Sequence, residues 1–257
     1  MTVKFSKYQG TGNDFVMIDG RDNPVNFSVK EIKKICDRRF GIGADGLIIL
    51  NSHPDVDFEM DYYNADGSQS FCGNGSRCAQ AFARNLGIID EHARFIAIDG
   101  IHQGKRMGEL YATKMGDVTE VKLLGDDFFV NTGSPHYIQY VDDLENFKVM
   151  EKGAAIRYSE AYNTEGVNVN FVSELDGNIK VRTYERGVEE ETYSCGTGVT
   201  AVAIAHLVKN EVDQKEVALI TKGGELKIQL EKVGARHFKN IWLIGPAQEV
   251  YKGDFQH

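Results

Sequence analysis

Two cysteines in similar glycine-rich surroundings are the residues of this chain best suited to chemistry. Cys72 begins the sequence CGNG and Cys195 begins the sequence CGTG. The Ala-rich run 78–86 follows the first and the apolar run 199–208 follows the second, and both runs predict helices. Glycines at a helix N-terminus leave backbone N–H groups open, and the partial positive charge there favours a thiolate and a bound anion. The sequence therefore predicts two reactive thiols, each just before a helix.

The two cysteines belong to a longer repeated pattern. They are separated by 195 − 72 = 123 positions, and other matching residues keep nearly the same offset. The pairs are Gly12-Asn13 with Gly133-Ser134, Gly43 with Gly166, and Tyr63 with Tyr184. We interpret this as two diverged copies of one half, which predicts two pseudo-symmetric domains, 1–116 carrying Cys72 and 117–245 carrying Cys195.

Equivalent thiols in two similar halves indicate a ligand held with one thiol on each side. Inverting a stereocentre requires removal of a proton from one face of a carbon and delivery of a proton to the other, which suits such a pair. We expect the backbone N–H groups of Gly73-Asn74 and Gly196-Thr197 to hold the reacting carboxylate. No Schiff-base lysine or phosphate-binding signature for pyridoxal phosphate is evident in the sequence, so we expect no cofactor.

Composition limits the class of protein. The 257 residues suffice for two modest domains, and 42% hydrophobic with 26% charged residues is ordinary for a globular protein. A net charge of −9 argues against a nucleic-acid partner. No run approaches the ~18–20 apolar residues of a membrane span, and the first residues lack a secretory pattern. The four cysteines form no CxxC pair, so we expect a cytoplasmic protein with free thiols and no metal.

Periodicity predicts an α+β fold in which each half is a mostly antiparallel sheet or barrel around a central helix. The run 199–208 is apolar on all sides, which predicts complete burial. Ser28 and Glu31 form a capping box for a helix that extends to about Asp37, in which Cys36 packs inward. We further expect a helix near 143–152, one strand over 107–114, a last strand over 248–251, and a structural role for His206 at a helix end.

Eight short motifs resemble those of the diaminopimelate epimerase family and span most of the chain. The resemblance implies cofactor-independent interconversion of the LL and meso forms of 2,6-diaminopimelate, in lysine biosynthesis, by two cysteines. It also implies a homodimer and a final segment, 246–257, that returns to the first domain. The motifs are GTGNDF (10–15), GIGADG (41–46), YYNADGS (62–68), FCGNGSRC (71–78), GSPH (133–136), NVNF (168–171), YERG (184–187) and SCGTG (194–198).

The resemblance also assigns substrate-binding residues. It implies that Arg186 grips the distal carboxylate and that His136 lies near the site as a supporting residue. This sequence departs from the family pattern at two positions, since relatives carry a polar Gln where Gly46 stands and an Asn where Ser134 stands. The residues assigned to recognition of the distal groups and of the reacting amine are Asn13, Asn64, Asn168, Glu185 and Arg186.

Two alternatives remain open at this stage. Proline racemases and hydroxyproline epimerases share paired cysteines, but they act on cyclic substrates that lack a distal ammonium and carboxylate. In a different class, Cys72 and Cys195 could form a redox dithiol, or the chain could be a non-catalytic anion-binding module. The matches at 62–68, 168–171 and 184–187 favour diaminopimelate.

Overall fold

The computed structural model describes residues 2–22, 24–175 and 177–256. Met1 and His257, the outer ends of the predicted domain ranges, lie outside the described residues. The chain divides into two compact units, one of residues Met1–Thr113 with Gly245–His257 and the other of Lys114–Ile244. No described helix is both long enough and apolar enough to cross a membrane.

The first unit begins with a hairpin and is completed by the last strand of the chain. Its hairpin strands pair antiparallel, and the final strand pairs antiparallel with the first from Thr2↔Gln256 onward. The elements are β1 (Thr2–Gly10), β2 (Asn13–Asp19), α1 (Val29–Cys36), β3 (Gly46–Asn51), β4 (Phe58–Asn64), α2 (Gly73–Asn85), β5 (His92–Ala97), β6 (Gly100–Met107), β7 (Leu110–Lys114) and β17 (Gln248–Gln256).

The second unit also begins with a hairpin, which its first two strands form. The elements are β8 (Val121–Leu124), β9 (Asp127–Asn131), β10 (Pro135–Tyr140), α3 (Val149–Arg157), β11 (Asn168–Leu175), β12 (Asn178–Glu185), β13 (Glu190–Thr192), α4 (Gly196–Lys209), β14 (Glu216–Thr221), β15 (Gly224–Gly234) and β16 (His237–Gly245).

Strand pairing within each unit follows one plan. In the first unit β2 pairs with β3 in parallel, β3 with β4 antiparallel, and β4 with β5 in parallel. In the second, β10 and β11 are parallel, β11 and β12 antiparallel, and β12 and β14 parallel. Strand β17 pairs antiparallel with β1, and β8 pairs antiparallel with β9 in the same way. Most pairings are antiparallel, and the fold is α+β, as the sequence predicted.

The central helix of each unit is buried because its side chains are small or apolar. In α4 every residue from Val199 to Ala205 is buried, and these side chains pack with Val217, Leu226 and Leu243 of the surrounding strands. In α2 the residues Asn74 to Ala83 are buried, and the apolar ones among them pack against Phe15 and Ile48. Each unit therefore has one helix buried inside a layer of strands.

Several predicted elements differ from the observed ones. Helix α2 begins at Gly73 rather than near Cys78, so that Cys72 is its N-cap residue. The strand predicted over 107–114 is β7 alone, preceded by a strand β6 that the sequence analysis missed. Helix α3 starts at Val149 instead of about Asp143, and β17 extends five residues beyond the predicted end. The capping box of α1 forms between Ser28 and Glu31 as predicted.

Candidate active site

Cys72 lies at the N-terminus of α2. Its extended backbone (φ −128°, ψ 114°) places it as the N-cap residue, and its Sγ accepts a hydrogen bond from the Gly75 backbone N–H at 3.3 Å. A Cβ on Gly75 would lie 3.2 Å from Ile48 Cδ1 and 3.3 Å from Cys72 Cβ. Glycine at this position therefore permits the first turn of the helix to pack closely behind the sulfur. A helix N-terminus favours the thiolate form of a cysteine placed there.

A directed chain of hydrogen bonds joins α2 to the β1–β2 turn. The Arg77 Nη2 donates to Asn74 Oδ1 at 2.9 Å, Asn74 Nδ2 donates to Asn13 Oδ1 at 2.6 Å, and Asn13 Nδ2 donates to Asp45 Oδ2 at 2.9 Å. A guanidinium can only donate and a carboxylate can only accept, so both amide orientations are fixed. The structure thus brings together two residues that the sequence predicted, Asn13 and Asn74, with the N-terminus of α2.

Asn64, also predicted, ends β4 in a separate polar cluster. Its Nδ2 donates to Ser68 Oγ at 3.0 Å and Ser70 Oγ at 3.2 Å, and its Oδ1 accepts from the Tyr62 hydroxyl at 2.9 Å. The Tyr62 ring occupies the space where a side chain at Gly46 would lie, since a Cβ there would overlap the ring and approach Tyr63 O to 2.6 Å. The departure at Gly46 is therefore matched by a tyrosine that contacts Asn64.

Cys195 has the equivalent place at the N-terminus of α4. Its backbone is extended (φ −118°, ψ 111°), the residue is buried, and its Sγ lies 3.5 Å from Thr197 Oγ1. Thr132 Oγ1 donates to the Thr197 carbonyl at 2.8 Å, which ties the helix start to β9 and its following turn. A Cβ on Gly198 would lie 2.6 Å from Asn170 Oδ1 and 3.3 Å from Cys195 Sγ, so glycine is again required behind the sulfur.

A buried polar group lies behind α4. Asn170 Oδ1 accepts from Thr183 Oγ1 at 2.9 Å, while Asn170 Nδ2 donates to the Tyr137 carbonyl at 3.1 Å and to His136 Nδ1 at 3.2 Å. The Nδ1 of His136 is therefore the acceptor and its Nε2 carries the proton. That Nε2 is buried without a partner among the described residues. Burial, and secondly the charge of Arg186, lowers the pKa of His136 to about 3.

Asn168, Arg186 and Ser134 form one cluster in the second unit. Asn168 Nδ2 donates to Ser134 Oγ at 2.8 Å, and Asn168 Oδ1 accepts from the Arg186 backbone N–H at 2.9 Å. The Arg186 guanidinium donates to Ser134 Oγ at 3.3 Å and to the Glu165 carbonyl at 2.9 Å. Ser134, the second departure from the family pattern, is thus the acceptor that both predicted residues share.

Glu185 precedes Arg186 at the end of β12, and its Oε2 accepts from Thr192 Oγ1 at 2.8 Å. Gly73 and Gly196 are the first residues of α2 and α4, where helical geometry leaves the backbone N–H groups without intrahelical acceptors.

His206 pairs with Glu174 at 2.6 Å near the end of α4, which confirms its structural role. Within the described ranges, no three His, Cys, Asp or Glu side chains are grouped to hold a metal ion.

Sequence analysis missed three residues that organise these clusters: Arg77, Tyr62 and Asn170. All three lie within motifs that were noticed for their neighbours, and Tyr62 is the first residue of the motif that contains Asn64. A usable signal was present for Asn170, because an Asn in the segment 167–172, in which every residue except Asn168 and Asn170 is apolar, must find partners when the strand is buried.

Comparison with solved structures identifies the fold. The chain shares its fold with a PhzF-family phenazine biosynthesis protein from Bacillus anthracis (TM-score 0.76, 13% identity, all of both chains covered). It also shares its fold with a probable proline racemase from Agrobacterium radiobacter (TM-score 0.71, 15% identity, 99% of this chain and 93% of that one). The chain thus shares one fold with proteins of different names, and the fold does not decide the substrate.

Sequence comparison identifies the family. The model of the diaminopimelate epimerase family matches residues 5–109 and 128–250. The diaminopimelate epimerase of Flavobacterium psychrophilum is 47% identical over 257 aligned residues, covering 97% of this chain and 99% of that protein. This chain belongs to the diaminopimelate epimerase family, and the family resemblance stated from the motifs is confirmed.

Proposed function

We propose that this protein interconverts LL- and meso-2,6-diaminopimelate without a cofactor, as a step of lysine biosynthesis. The observation that carries the proposal is the placement of Cys72 and Cys195 as N-cap residues of equivalent buried helices. Each sulfur adjoins a glycine-rich first turn, and the family to which the chain belongs is named for this reaction.

In the proposed mechanism, one cysteine as thiolate removes the α-proton and the other as thiol delivers a proton to the opposite face. Proton removal leaves a carbanion whose charge spreads into the reacting carboxylate. The backbone N–H groups of Gly73-Asn74 and Gly196-Thr197 are the donors that would stabilise this charge. After one turnover each sulfur has the protonation state that the other began with, so the reverse reaction uses the same two groups with their roles exchanged.

The distal amino and carboxylate groups of diaminopimelate distinguish it from a cyclic amino acid. We assign the distal carboxylate to the fork of Arg186, whose hydrogen bonds to Ser134 Oγ and the Glu165 carbonyl fix its direction. Asn13, Asn64, Asn168 and Glu185 are the proposed contacts to the remaining amine and carboxylate atoms. His136, whose Nε2–H is a buried donor, supports the Cys195 side of the site.

The experiment is to incubate the enzyme with LL-diaminopimelate and, separately, with L-proline, and to follow optical rotation and the stereoisomers formed. Formation of meso-diaminopimelate supports the proposal. Conversion of proline alone would instead assign the chain to the proline racemases, and no change of either would favour a redox dithiol or an anion-binding module. Cys72→Ala and Cys195→Ala should each abolish turnover, whereas Cys36→Ala, at a buried position on α1, should not.

Deuterium incorporation distinguishes a mechanism with two thiols from a mechanism in which a single base moves between the two faces of the carbon. In D₂O, the meso product formed at once from LL-diaminopimelate should carry deuterium, because the delivering thiol has exchanged with solvent. Substrate recovered early should remain unlabelled, because the abstracted proton stays on the opposite sulfur. Early product that retains the original α-hydrogen would contradict the two-thiol mechanism.

We also propose that the enzyme works in the cytoplasm as a homodimer. The reducing conditions there keep both thiols free, which the reaction needs. Sedimentation of the purified, reduced enzyme would test the dimer, and a monomer with full activity would contradict it.

A further inference from the structure

The turn between β12 and β13 carries Arg186, and a carboxylate within the same turn holds it closed. Glu189 Oε1 accepts a hydrogen bond from the Gly187 backbone N–H at 3.1 Å, and Glu189 Oε2 accepts one from the Tyr184 hydroxyl at 3.1 Å. The Glu189 backbone N–H also donates to the Glu185 carbonyl at 2.8 Å. These contacts join both ends of the turn in which Arg186 lies.

Glu189 has a backbone conformation that a glutamate rarely adopts. Its φ is +60°, in the left-handed region where a side chain is strained and glycine is favoured. Such strain persists only where surrounding contacts determine the conformation, and it is concentrated at functional sites. The hydrogen bonds of the carboxylate are contacts of this kind, so a glutamate at this position indicates that its side chain is needed there.

Arg157, the last residue of α3, is the counter-ion of Glu189. Its Nε lies 3.3 Å from Glu189 Oε1, and the Arg157 side chain is 14% exposed. The guanidinium also donates to the Tyr162 carbonyl at 3.3 Å and lies over the Tyr158 ring, 4.8 Å from its centroid. Burial alone would raise the pKa of Glu189, but its hydrogen bonds and the charge of Arg157 hold that pKa below its ordinary value. The pair is therefore ionised at neutral pH.

Gly166 brings Arg157 and Arg186 together. A Cβ on Gly166, whose φ is +76°, would lie 2.6 Å from Arg186 Cδ and 2.8 Å from Arg157 Cζ. Both arginine side chains thus lie against this one glycine, and Arg157 is one wall of the space that the Arg186 stem occupies. Two cations so placed repel each other, and the Glu189 carboxylate offsets that repulsion.

The first unit contains a similar arrangement. Arg38 lies two residues after the end of α1, and a Cβ on Gly43, whose φ is +82°, would lie 2.9 Å from Arg38 Cα. Arg38 donates to Asp45 Oδ1 at 2.6 Å, and Asp45 Oδ2 accepts from Asn13 Nδ2 at 2.9 Å. Gly43 and Gly166 are matching positions of the sequence repeat. Each unit therefore packs an arginine from a helix end against such a glycine and pairs it with a carboxylate that holds a predicted substrate-binding segment.

We propose that Glu189 and Arg157 are positioning residues that hold Arg186 in the direction in which it meets the distal carboxylate of the substrate. Selection of a substrate with two carboxylates then depends on an ion pair behind the residue that grips the second one. The inference rests on the proposed function, which assigns that carboxylate to Arg186. The state of the turn is a property of the free protein and is tested separately.

The first test is the variant Glu189→Gly, because glycine accepts a φ of +60° without strain and the lost carboxylate is then the main change. KM for LL-diaminopimelate should rise on the order of tenfold, as expected when a binding group loses its orientation, with a smaller change in kcat. Removal of a negative charge would by itself strengthen attraction of the substrate carboxylate and lower KM. A rise therefore identifies lost positioning, and an unchanged or lower KM would overturn the proposal.

Three further variants complete the kinetic test. Glu190→Gln removes the same charge at the next, exposed position and should leave KM unchanged. In the double variant Glu189→Gly/Arg186→Lys, KM should stay close to that of Arg186→Lys alone, because the pair acts through the Arg186 fork; additive effects would overturn the proposal. If Glu189→Gly fails to fold, Arg157→Gln removes the other partner, and its KM should rise; an unchanged KM would overturn the proposal.

The second test measures amide hydrogen exchange of the peptide 184–192 by mass spectrometry, in the free protein. Exchange in Glu189→Gly should be faster on the order of tenfold, because the turn has lost the contacts that close it, whereas Glu190→Gln should match the wild type. Unchanged exchange in Glu189→Gly would overturn the proposal.

The two tests also separate this inference from the proposed function. Faster exchange in Glu189→Gly, in a protein that does not convert diaminopimelate, would contradict the proposed function and support the role of Glu189 in the turn. Normal conversion of diaminopimelate by Glu189→Gly, with KM and exchange unchanged, would contradict this inference alone.

Discussion

Acid should destabilise the second unit through a single histidine, His136. Burial, with a smaller effect of the Arg186 charge, lowers its pKa from 6.5 to about 3. The unfolded chain therefore takes up a proton near pH 6.5, while the folded chain does not until about pH 3. Since the folded pKa is depressed, the stabilisation is fully present above pH 6.5 and is lost as the pH falls from 6.5 toward about 3.

The magnitude follows from the linkage relation. Each pKa unit corresponds to about 1.4 kcal/mol, so one proton gives a slope of about 1.4 kcal/mol per pH unit within this window. Across the whole window the upper limit is about 4–5 kcal/mol for a shift from 6.5 to about 3. That is a large part of the roughly 5–15 kcal/mol by which a domain is stable.

The variant His136→Asn removes the titration and keeps an acceptor at the position of Nδ1 for the Asn170 amide. Urea unfolding should be followed from about pH 7.5 to about pH 5, below the ordinary pKa of histidine. The fluorescence of Trp242, the single tryptophan, reports on the second unit because it lies on β16.

As the pH falls, the free energy of unfolding should decrease more steeply for the wild type than for His136→Asn. The difference between the two slopes should approach the value for one proton, about 1.4 kcal/mol per pH unit. His237→Asn, at an exposed position of β16, is the matched control and should keep the wild-type slope. Identical slopes for wild type and His136→Asn would refute the argument, because they would show that His136 is protonated in the folded unit.

Two further predictions concern substrate binding and packing. Arg186→Lys keeps the charge but cannot bridge its two acceptors in a planar fork, so KM for diaminopimelate should rise on the order of tenfold with a smaller change in kcat. Steady-state kinetics test this, and Arg182→Lys, on the strand β12 that ends just before Arg186, should leave KM unchanged. Gly46→Ala should lower the free energy of unfolding by about 1–3 kcal/mol, because the added Cβ overlaps the ring of Tyr62. Thermal melting tests this prediction. Gly116→Ala, where a Cβ meets nothing within 4 Å, is the control. An unchanged melting temperature for Gly46→Ala would contradict the prediction, because it would mean that the Tyr62 ring moves aside at no cost in free energy.

The sequence could predict those features that depend on residues close to one another in the chain. The Ser28 box fixes the start of α1 through two hydrogen bonds within four residues. The apolar run in α4 predicts burial because no face of that helix is polar. Repetition of the CGxG sequence predicts two thiols at helix N-termini, since both glycines and the helix that follows are adjacent in the chain.

The features that sequence could not predict depend on distant partners. Strand β6 was missed because its sequence, GIHQGKRM, alternates weakly, and its place is determined by pairing with β5 and β7. Asp143 suggested a helix start, but its carboxylate instead accepts from the Asn146 backbone N–H in a turn. Helix α3 begins after Lys148, which makes no side-chain capping hydrogen bond, so the sequence carried no signal there.

Arg77 shows why the site itself was only partly predictable. An arginine in the first turns of a helix is expected at the surface, and its burial follows from acceptors on the β1–β2 turn and the segment before β17, far away in sequence. The matching position in the second half of the chain is Thr200. The repeat therefore preserves the backbone conformation of the helix start but not the charged side chain. Two diverged copies can therefore present a thiol at the same helix position with different buried side chains in the turns that follow it.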